Sequence, residues 1–418
     1  MRINMKKVSV TMYREKIDAY IDSKKEEMLQ ELSVLVRINS QRGEAKEGMP
    51  FGEGPAKVLA AAEDLLNRHG FITKNYDNYV VTGDFSEAEK GLDILAHLDV
   101  VPVTDDWTVT KPFEPKVVDG RIYGRGTADD KGPAIAALYA MKAIKELGIP
   151  MKKSVRLILG SDEECGSGDL EYYYQKEEEA PYSFTPDAEF PVINIEKGRF
   201  APELTAQFQE GLKLPGVLSL KSGDKVNVVP QRAQAVIAGV AESDLNEAAD
   251  KANSMTGVSF TITKKPGYYV VDAKGQAAHA ASPAEGKNAL TALLRMISML
   301  QLAPSQGQNV LNALDKLFPY EDTSGKALGI YCENEESGAL TLSFSMLDYT
   351  PERMKAAFDS RLPIGCNDAN TREPLRELLV EFGIAMAGEI TAPHCVPGDS
   401  PFVKALLDSY EKYTGIKG

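Results

Sequence analysis

Along the first third of the chain, apolar positions alternate between helical spacing and short, largely apolar runs. Ile17, Ile21, Met28, Leu29, Leu32, Leu35 and Val36 recur at mostly three- and four-residue steps, which predicts an amphipathic helix over Tyr13–Val36. A Gly-, Glu- and Lys-containing loop follows from Gly43 to Gly54. A second helix is expected from Pro55, a good first-turn residue, to about His69, with Gly70 as its stop. His69 then sits at a helix C-terminus, where an imidazole suits the dipole, and is read as structural. Leu92–Ala96 and Val155–Leu159 are short, largely apolar runs, as expected of buried strands. Between them Ala136, Ala137, Tyr139, Ala140, Met141 and Ile144 predict a helix over Ala134–Leu147, ended by Gly148-Ile149-Pro150. Strand, helix, strand in this order is the rhythm of an α/β domain with a mixed, mostly parallel sheet flanked by helices.

After about Glu196 the texture changes. Val217–Leu220, Val226–Val229, Ala233–Val240, Phe260–Lys264 and Tyr268–Asp272 predict antiparallel strands, with helices at Asp244–Met255 and Asn288–Leu302. From Ala392 the helical pattern returns, with Ser400 as a candidate N-cap for Pro401–Tyr413. The expected organisation is therefore an outer α/β domain, 1–196 with 392–418, interrupted by an inserted α+β domain, 197–391.

Composition narrows the picture. A chain of 418 residues favours two domains, and 43% hydrophobic with 26% charged residues is globular. The formal charge of −14 argues against nucleic acid or an anionic membrane as partner. Cys165, Cys332, Cys366 and Cys395 are scattered, as in reduced cytoplasmic proteins rather than a disulfide framework. Met1–Val10 is basic but lacks the apolar core of a signal peptide, and no apolar run reaches membrane-spanning length. The expected location is the cytoplasm.

Four segments carry candidate chemistry. His97-Leu98-Asp99 follows the first buried run, and residues two apart in a strand share a face. Gly124-Arg125-Gly126-Thr127-Ala128-Asp129-Asp130-Lys131-Gly132 places carboxylates on a glycine-rich loop before a helix. Asp162-Glu163-Glu164 follows the second buried run, and Pro186-Asp187-Ala188 lies beyond it. Each alone is a weak signal. Together Asp99, Asp129, Glu163, Glu164 and Asp187 would bring five negative charges around one histidine, and such a group could not all stay ionised without cations. Two divalent ions would offset four of those charges. Mixed imidazole and carboxylate donors suit zinc, or manganese or cobalt.

These motifs, in this order and ending in Phe184-Thr185-Pro186-Asp187-Ala188-Glu189-Phe190-Pro191, resemble the co-catalytic zinc peptidases that include aminoacylase, glutamate-releasing carboxypeptidases and desuccinylases. Within that group the chain looks most like the bacterial broad-specificity, carnosinase-like dipeptidases of the V type. The resemblance implies that Asp129 bridges two metals, with a cis bond to Asp130 expected. It makes His97 and Asp187 ligands of one metal and Glu164 a ligand of the other. Glu163 would be the general base and Asp99 the acid behind the ligands. In the inserted domain, which would serve as a lid or dimerisation domain, His279 matches an oxyanion-stabilising histidine. Asn227 and Arg361 match residues that hold the substrate and its C-terminal carboxylate. The implied reaction is hydrolysis of dipeptides by a metal-bridging hydroxide, with small peptides as partners and a monomer or homodimer as the assembly. The alternatives are an N-acyl-amino-acid amidohydrolase or desuccinylase of the same group, or a catalytically impaired peptide-binding form.

The group carries one more metal-binding histidine near its C-terminus, after a glycine-rich loop. Here the sequence ends at Tyr413-Thr414-Gly415-Ile416-Lys417-Gly418, before such segments, and His394 lies ahead of the final helix outside that context. The expectation is a chain continuing past Gly418, with the Glu164-side metal short of a ligand in this form.

Overall fold

The structure, a computed structural model, describes residues 2–418 and the side chains of residues 13–418, so the basic stretch Met1–Val10 lies outside the described side chains. The chain forms two compact units, Met1–Val192 and Ile193–Gly418.

In the first unit, helices α1 (Arg2–Val36), α2 (Glu53–Arg68) and α3 (Lys131–Glu146) accompany strands β1 (Ile72–Tyr76), β2 (Val80–Asp84), β3 (Lys90–His97), β4 (Ser154–Gly160) and β5 (Ser183–Phe184). The sheet order is β1-β2-β4-β3-β5. β2 pairs antiparallel with both β1 and β4, whereas β3 pairs parallel with β4 and β5, so β2 alone opposes the common direction. Every residue of β4 is buried. Val155, Leu157 and Leu159 share a core with Leu35, Leu59 and Leu138 of the helices. Ile158 points the other way, into a cluster with Tyr76, Val80 and Tyr173. Both sheet faces are therefore covered, as the two apolar runs require. His69 caps α2, and its Nε2 meets Glu31 at 2.9 Å, the structural role read for it.

Beneath the functional end of the sheet, Asp93 and Arg156 face each other across β3 and β4. Arg156 Nε and one terminal nitrogen donate to the two carboxylate oxygens at 2.8 and 2.6 Å. The Asp93 carboxylate also accepts from Ala180 N, and Arg156 donates to Glu178 O. The pair thereby fixes the segment that leads through β5 toward Asp187.

The second unit is α+β. Its ten-stranded sheet has a main path of β9-β10-β8-β7-β11-β12-β6-β13. In chain order these are β6 (Glu203–Gln207), β7 (Gly216–Ser222), β8 (Arg232–Ala238), β9 (Ser259–Lys265), β10 (Tyr268–Lys274), β11 (Thr341–Thr350), β12 (Arg353–Leu362) and β13 (Ala385–Ala387). Helices α4 (Glu242–Thr256), α5 (Ala289–Ser298) and α6 (Gln306–Leu317) share its core through Leu245, Leu290, Leu293 and Leu314. Two further helices are α7 (Glu373–Glu381) and α8 (Pro401–Thr414), and the hydroxyl of Ser400 accepts from Val403 N as the expected cap. One expected strand is absent: Val226–Val229 forms a turn in which Val228 makes an isolated bridge to His279. The backbone there is spent on the Asn227–Ala280 and Val229–Ala278 hydrogen bonds instead of a ladder. The helix expected over Asn288–Leu302 also ends early, at Ser298.

Candidate metal centre

β3 delivers His97 at its last residue. Leu98 N still donates to Gly160 O at 3.0 Å, so the extended course carries on to Asp99. The His97 side chain is 4% exposed, and its Nδ1 donates toward Asp99, whose backbone oxygen is 3.1 Å away and whose Oδ1 is 3.3 Å away. That leaves Nε2 facing three carboxylates: Asp129 at 3.0 Å, Asp187 at 3.5 Å and Glu163 at 3.9 Å. A ring held on one nitrogen by a carboxylate and open on the other is the usual arrangement of a metal-binding histidine.

The loop before α3 is shaped by close approach. A Cβ on Gly132 would stand 2.1 Å from Thr127 O, and Gly126 adopts a φ of +87°. The Asp129–Asp130 peptide bond is cis. Lys131 is fully buried, and its ammonium donates at 3.0 Å to Leu35 O and Ile38 O at the end of α1. Leu35 is in the last turn of α1 and Ile38 just past it, so Lys131 ties the loop to the helix terminus.

The acidic turn Glu163–Cys165 hangs from Asp99, whose two oxygens accept Glu163 N at 3.2 Å and Glu164 N at 3.1 Å. The first acid of that run faces elsewhere: Asp162 pairs with Arg42 at 2.6 Å.

The electrostatics follow from crowding. Burial disfavours the charged form of His97, but hydrogen bonds donated to Asp129 and Asp99 outweigh it and push the ring up to about 11. Glu164 is raised to about 7, first by burial and then by the charge of Asp129. Asp130 also rises to about 7, through burial and then Asp187. Glu163 and Asp187 are raised as well, chiefly by burial. The His97 hydrogen bond lowers Asp129. Protons here do the work that a cation would do, and the donors fit that need. His97, Asp129 and Glu164 offer ligand atoms within 4.8 Å of one another, and so do His97, Asp130 and Asp187.

Six of the acids and bases thus converge in the first unit: His97, Asp99, Asp129, Glu163, Glu164 and Asp187. The motif reading passed over Asp130 as a site residue, although it stands beside Asp129. Asn227, His279 and Arg361 lie in the second unit. Asn227 and His279 are neighbours, with Ala280 N donating to Asn227 O at 2.9 Å. Ala281 N donates to His279 Nδ1 at 3.1 Å, which leaves the ring proton on Nε2. Arg361 is oriented by the buried Asp359, which takes its Nε at 2.8 Å and also pairs with Arg199. His394 is exposed and pairs with Glu196 in a short ladder.

Comparison with known proteins places the chain in a family. The profile of peptidase family M20/M25/M40 matches residues 94–417. YtjP of Bacillus subtilis (strain 168) is 34% identical over 399 residues, covering 94% of this chain and 85% of that protein. The Beta-Ala-Xaa dipeptidase of Lactobacillus delbrueckii subsp. lactis is 35% identical over 405 residues, covering 95% of this chain and 85% of that one. The crystal structure of human carnosine dipeptidase 1 superposes with a TM-score of 0.54 at 17% identity, over 96% of this chain and 85% of that one, a likeness of fold.

Proposed function

The chain belongs to peptidase family M20/M25/M40, a family of peptide-bond hydrolases, and from that premise we propose that it cleaves dipeptides with two divalent metal ions. His97 and Asp187 would hold one ion and Glu164 the other, with Asp129 between them. Zinc suits these donors best, with manganese or cobalt as substitutes. The ions would supply a water of lowered pKa and a polarised carbonyl. The observation that carries the reading is the gathering of carboxylates around one buried imidazole, several of them held toward protonation.

The chain's own groups do the rest. Glu163, half-exposed beside His97 and raised in pKa by burial, takes the proton of the attacking water and returns it to the leaving amine. Asp99 holds the turn that presents Glu163 and Glu164 and keeps His97 in one orientation. His279, with its proton on Nε2, donates to the carbonyl oxygen as that atom gains charge. Arg361, its fork steadied by Asp359, receives the free C-terminal carboxylate of a small peptide, with Asn227 holding the substrate. The roles of His279, Asn227 and Arg361 rest on the motif match. The nested organisation, with 197–391 inserted between 1–196 and 392–418, rests on the change of sequence pattern at those points, and its role as a lid or dimerisation domain, in a monomer or homodimer, rests on the motif match. Four free thiols support a cytoplasmic setting, and among the described residues no helix is long and apolar enough to cross a membrane.

The test is hydrolysis of a dipeptide panel, set against N-acetyl and N-succinyl amino acids, before and after chelation and after return of zinc, manganese or cobalt. Turnover indifferent to chelation would refute the dinuclear reading. A preference for blocked amines would replace the dipeptidase by an amidohydrolase of the same family.

A further inference from the structure

Among the described residues, three groups of acids and histidines have metal-binding spacing. The Glu27–Glu31–His69 group is internally satisfied: Glu31 takes His69 and Tyr139, and Glu27 takes Lys24 and Lys142. The remaining two share His97, and they divide the adjacent acids between them. Asp129 falls with Glu164, and Asp130 falls with Asp187.

Asp130 is fully buried. Its Oδ2 accepts the backbone N–H of His97 at 3.1 Å. Its Oδ1 is also buried and has no hydrogen-bond partner. One carboxylate oxygen of Asp130 lies within 4.8 Å of a His97 ring nitrogen and of an Asp187 oxygen. An acceptor for one N–H needs one oxygen and no charge. A buried carboxylate oxygen left unpaired is costly, so a purely structural acceptor at this position would be better served by a neutral side chain. The carboxylate makes physical sense when a cation stands beside it.

We propose that Asp130 is a positioning residue for the ion on the His97–Asp187 side, fixing the His97 backbone with one oxygen and lending its negative charge to that ion with the other. The inference rests on the dinuclear reading above. It adds a sixth carboxylate to the centre and makes the two sides unequal, with Asp130 serving one of them.

Asparagine separates charge from shape, because it keeps the volume and a carbonyl oxygen for His97 N–H. Zinc is titrated into the metal-free full chain against a competing chromophoric chelator, for wild type, D130N and D187N. The D187N titration identifies which binding step belongs to the His97 side. D130N is expected to weaken that step by about 10- to 100-fold, the range found when a group supporting a metal ligand is removed. It should leave the other step unchanged and should shift the visible absorption of cobalt bound on the His97 side. If D130N fails to fold, D130S is titrated by the same criterion, since its hydroxyl can still accept the N–H. A D130N or D130S titration that matches wild type, with an unaltered cobalt spectrum, overturns the inference and leaves Asp130 a backbone acceptor. A wild-type chain that binds no ion overturns the dinuclear reading and the inference with it.

Discussion

Replacing Asp93 by asparagine removes one side of a buried ion pair and strands the other. Arg156 is 3% exposed and gives two of its donors to the Asp93 carboxylate. With asparagine opposite, one of those donors meets an amide NH₂ and the guanidinium keeps only the more distant Glu177, 4.0 Å away, as counter-ion. Removing one partner of such a pair costs about 3–5 kcal/mol, well above the figure for an exposed bridge, because the remaining charge stays out of water. For a unit of this size each kcal/mol shifts the melting temperature by about 2–4 °C, so D93N should fall by roughly 6–20 °C. The D93L/R156M double variant leaves no buried charge and should melt closer to wild type than either D93N or R156M. Scanning calorimetry of the full chain reads this directly, and the transition of the first unit is the one that zinc raises. A D93N shift below about 2 °C, or a double variant as unstable as the sum of the singles, would refute the reasoning. The pair also anchors Glu178 O and Ala180 N, so D93N should weaken zinc binding through the segment that carries Asp187.

Two further outcomes follow from the hydrogen bonds. D99A removes the acceptors of Glu163 N and Glu164 N and the carboxylate beside the His97 ring, leaving the ring only the Asp99 backbone oxygen, so zinc affinity should drop by about 10- to 100-fold with dipeptide kcat/KM falling alongside it; wild-type affinity in D99A would show that the turn holds itself. Hydrogen bonds from Lys142 and then Lys24 hold Glu27 down to about 2 from an ordinary 4.5, so the stability it lends is present above about pH 4.5 and is lost as pH falls toward about 2. In K142M most of that dependence should vanish, and its urea midpoint should approach the wild-type value as the pH is lowered through this window; parallel profiles would contradict the assignment.

The first unit was legible because its chemistry sits where its pattern breaks. The short, largely apolar runs Leu92–Ala96 and Val155–Leu159 fit strands covered on both faces, with Asp93 and Arg156 paired between them, and the polar residues that follow each run stand at the ends of neighbouring strands of one sheet. The second unit was harder to read. The hairpin Thr341–Thr350 with Arg353–Leu362 escaped notice because Ser343, Ser345, Asp359 and Ser360 are buried within it, and polar residues facing inward blur the alternation that marks a strand. Val226–Val229 had the composition of a strand, but Pro230 follows it and its hydrogen bonds go to the segment around His279.

Asp129 and Asp130 show a different limit. Two adjacent acids read along the chain are one repelling unit, and nothing in their order says which faces what. The fold parts them. Asp129 lies about half-exposed against the His97 ring, while Asp130 is sealed beneath it with one oxygen on the His97 backbone. Lys131, the cation that sequence alone would match to them, instead turns its ammonium to the carbonyls at the end of α1. That leaves Asp129 to the His97 ring and Asp130 without Lys131, and burial as deep as that of Asp130 favours the neutral carboxyl unless another cation stands beside it. On the proposed reading, the loop meets metal with both acids, the exposed one and the buried one. The asparagine exchange at 130 separates charge from shape.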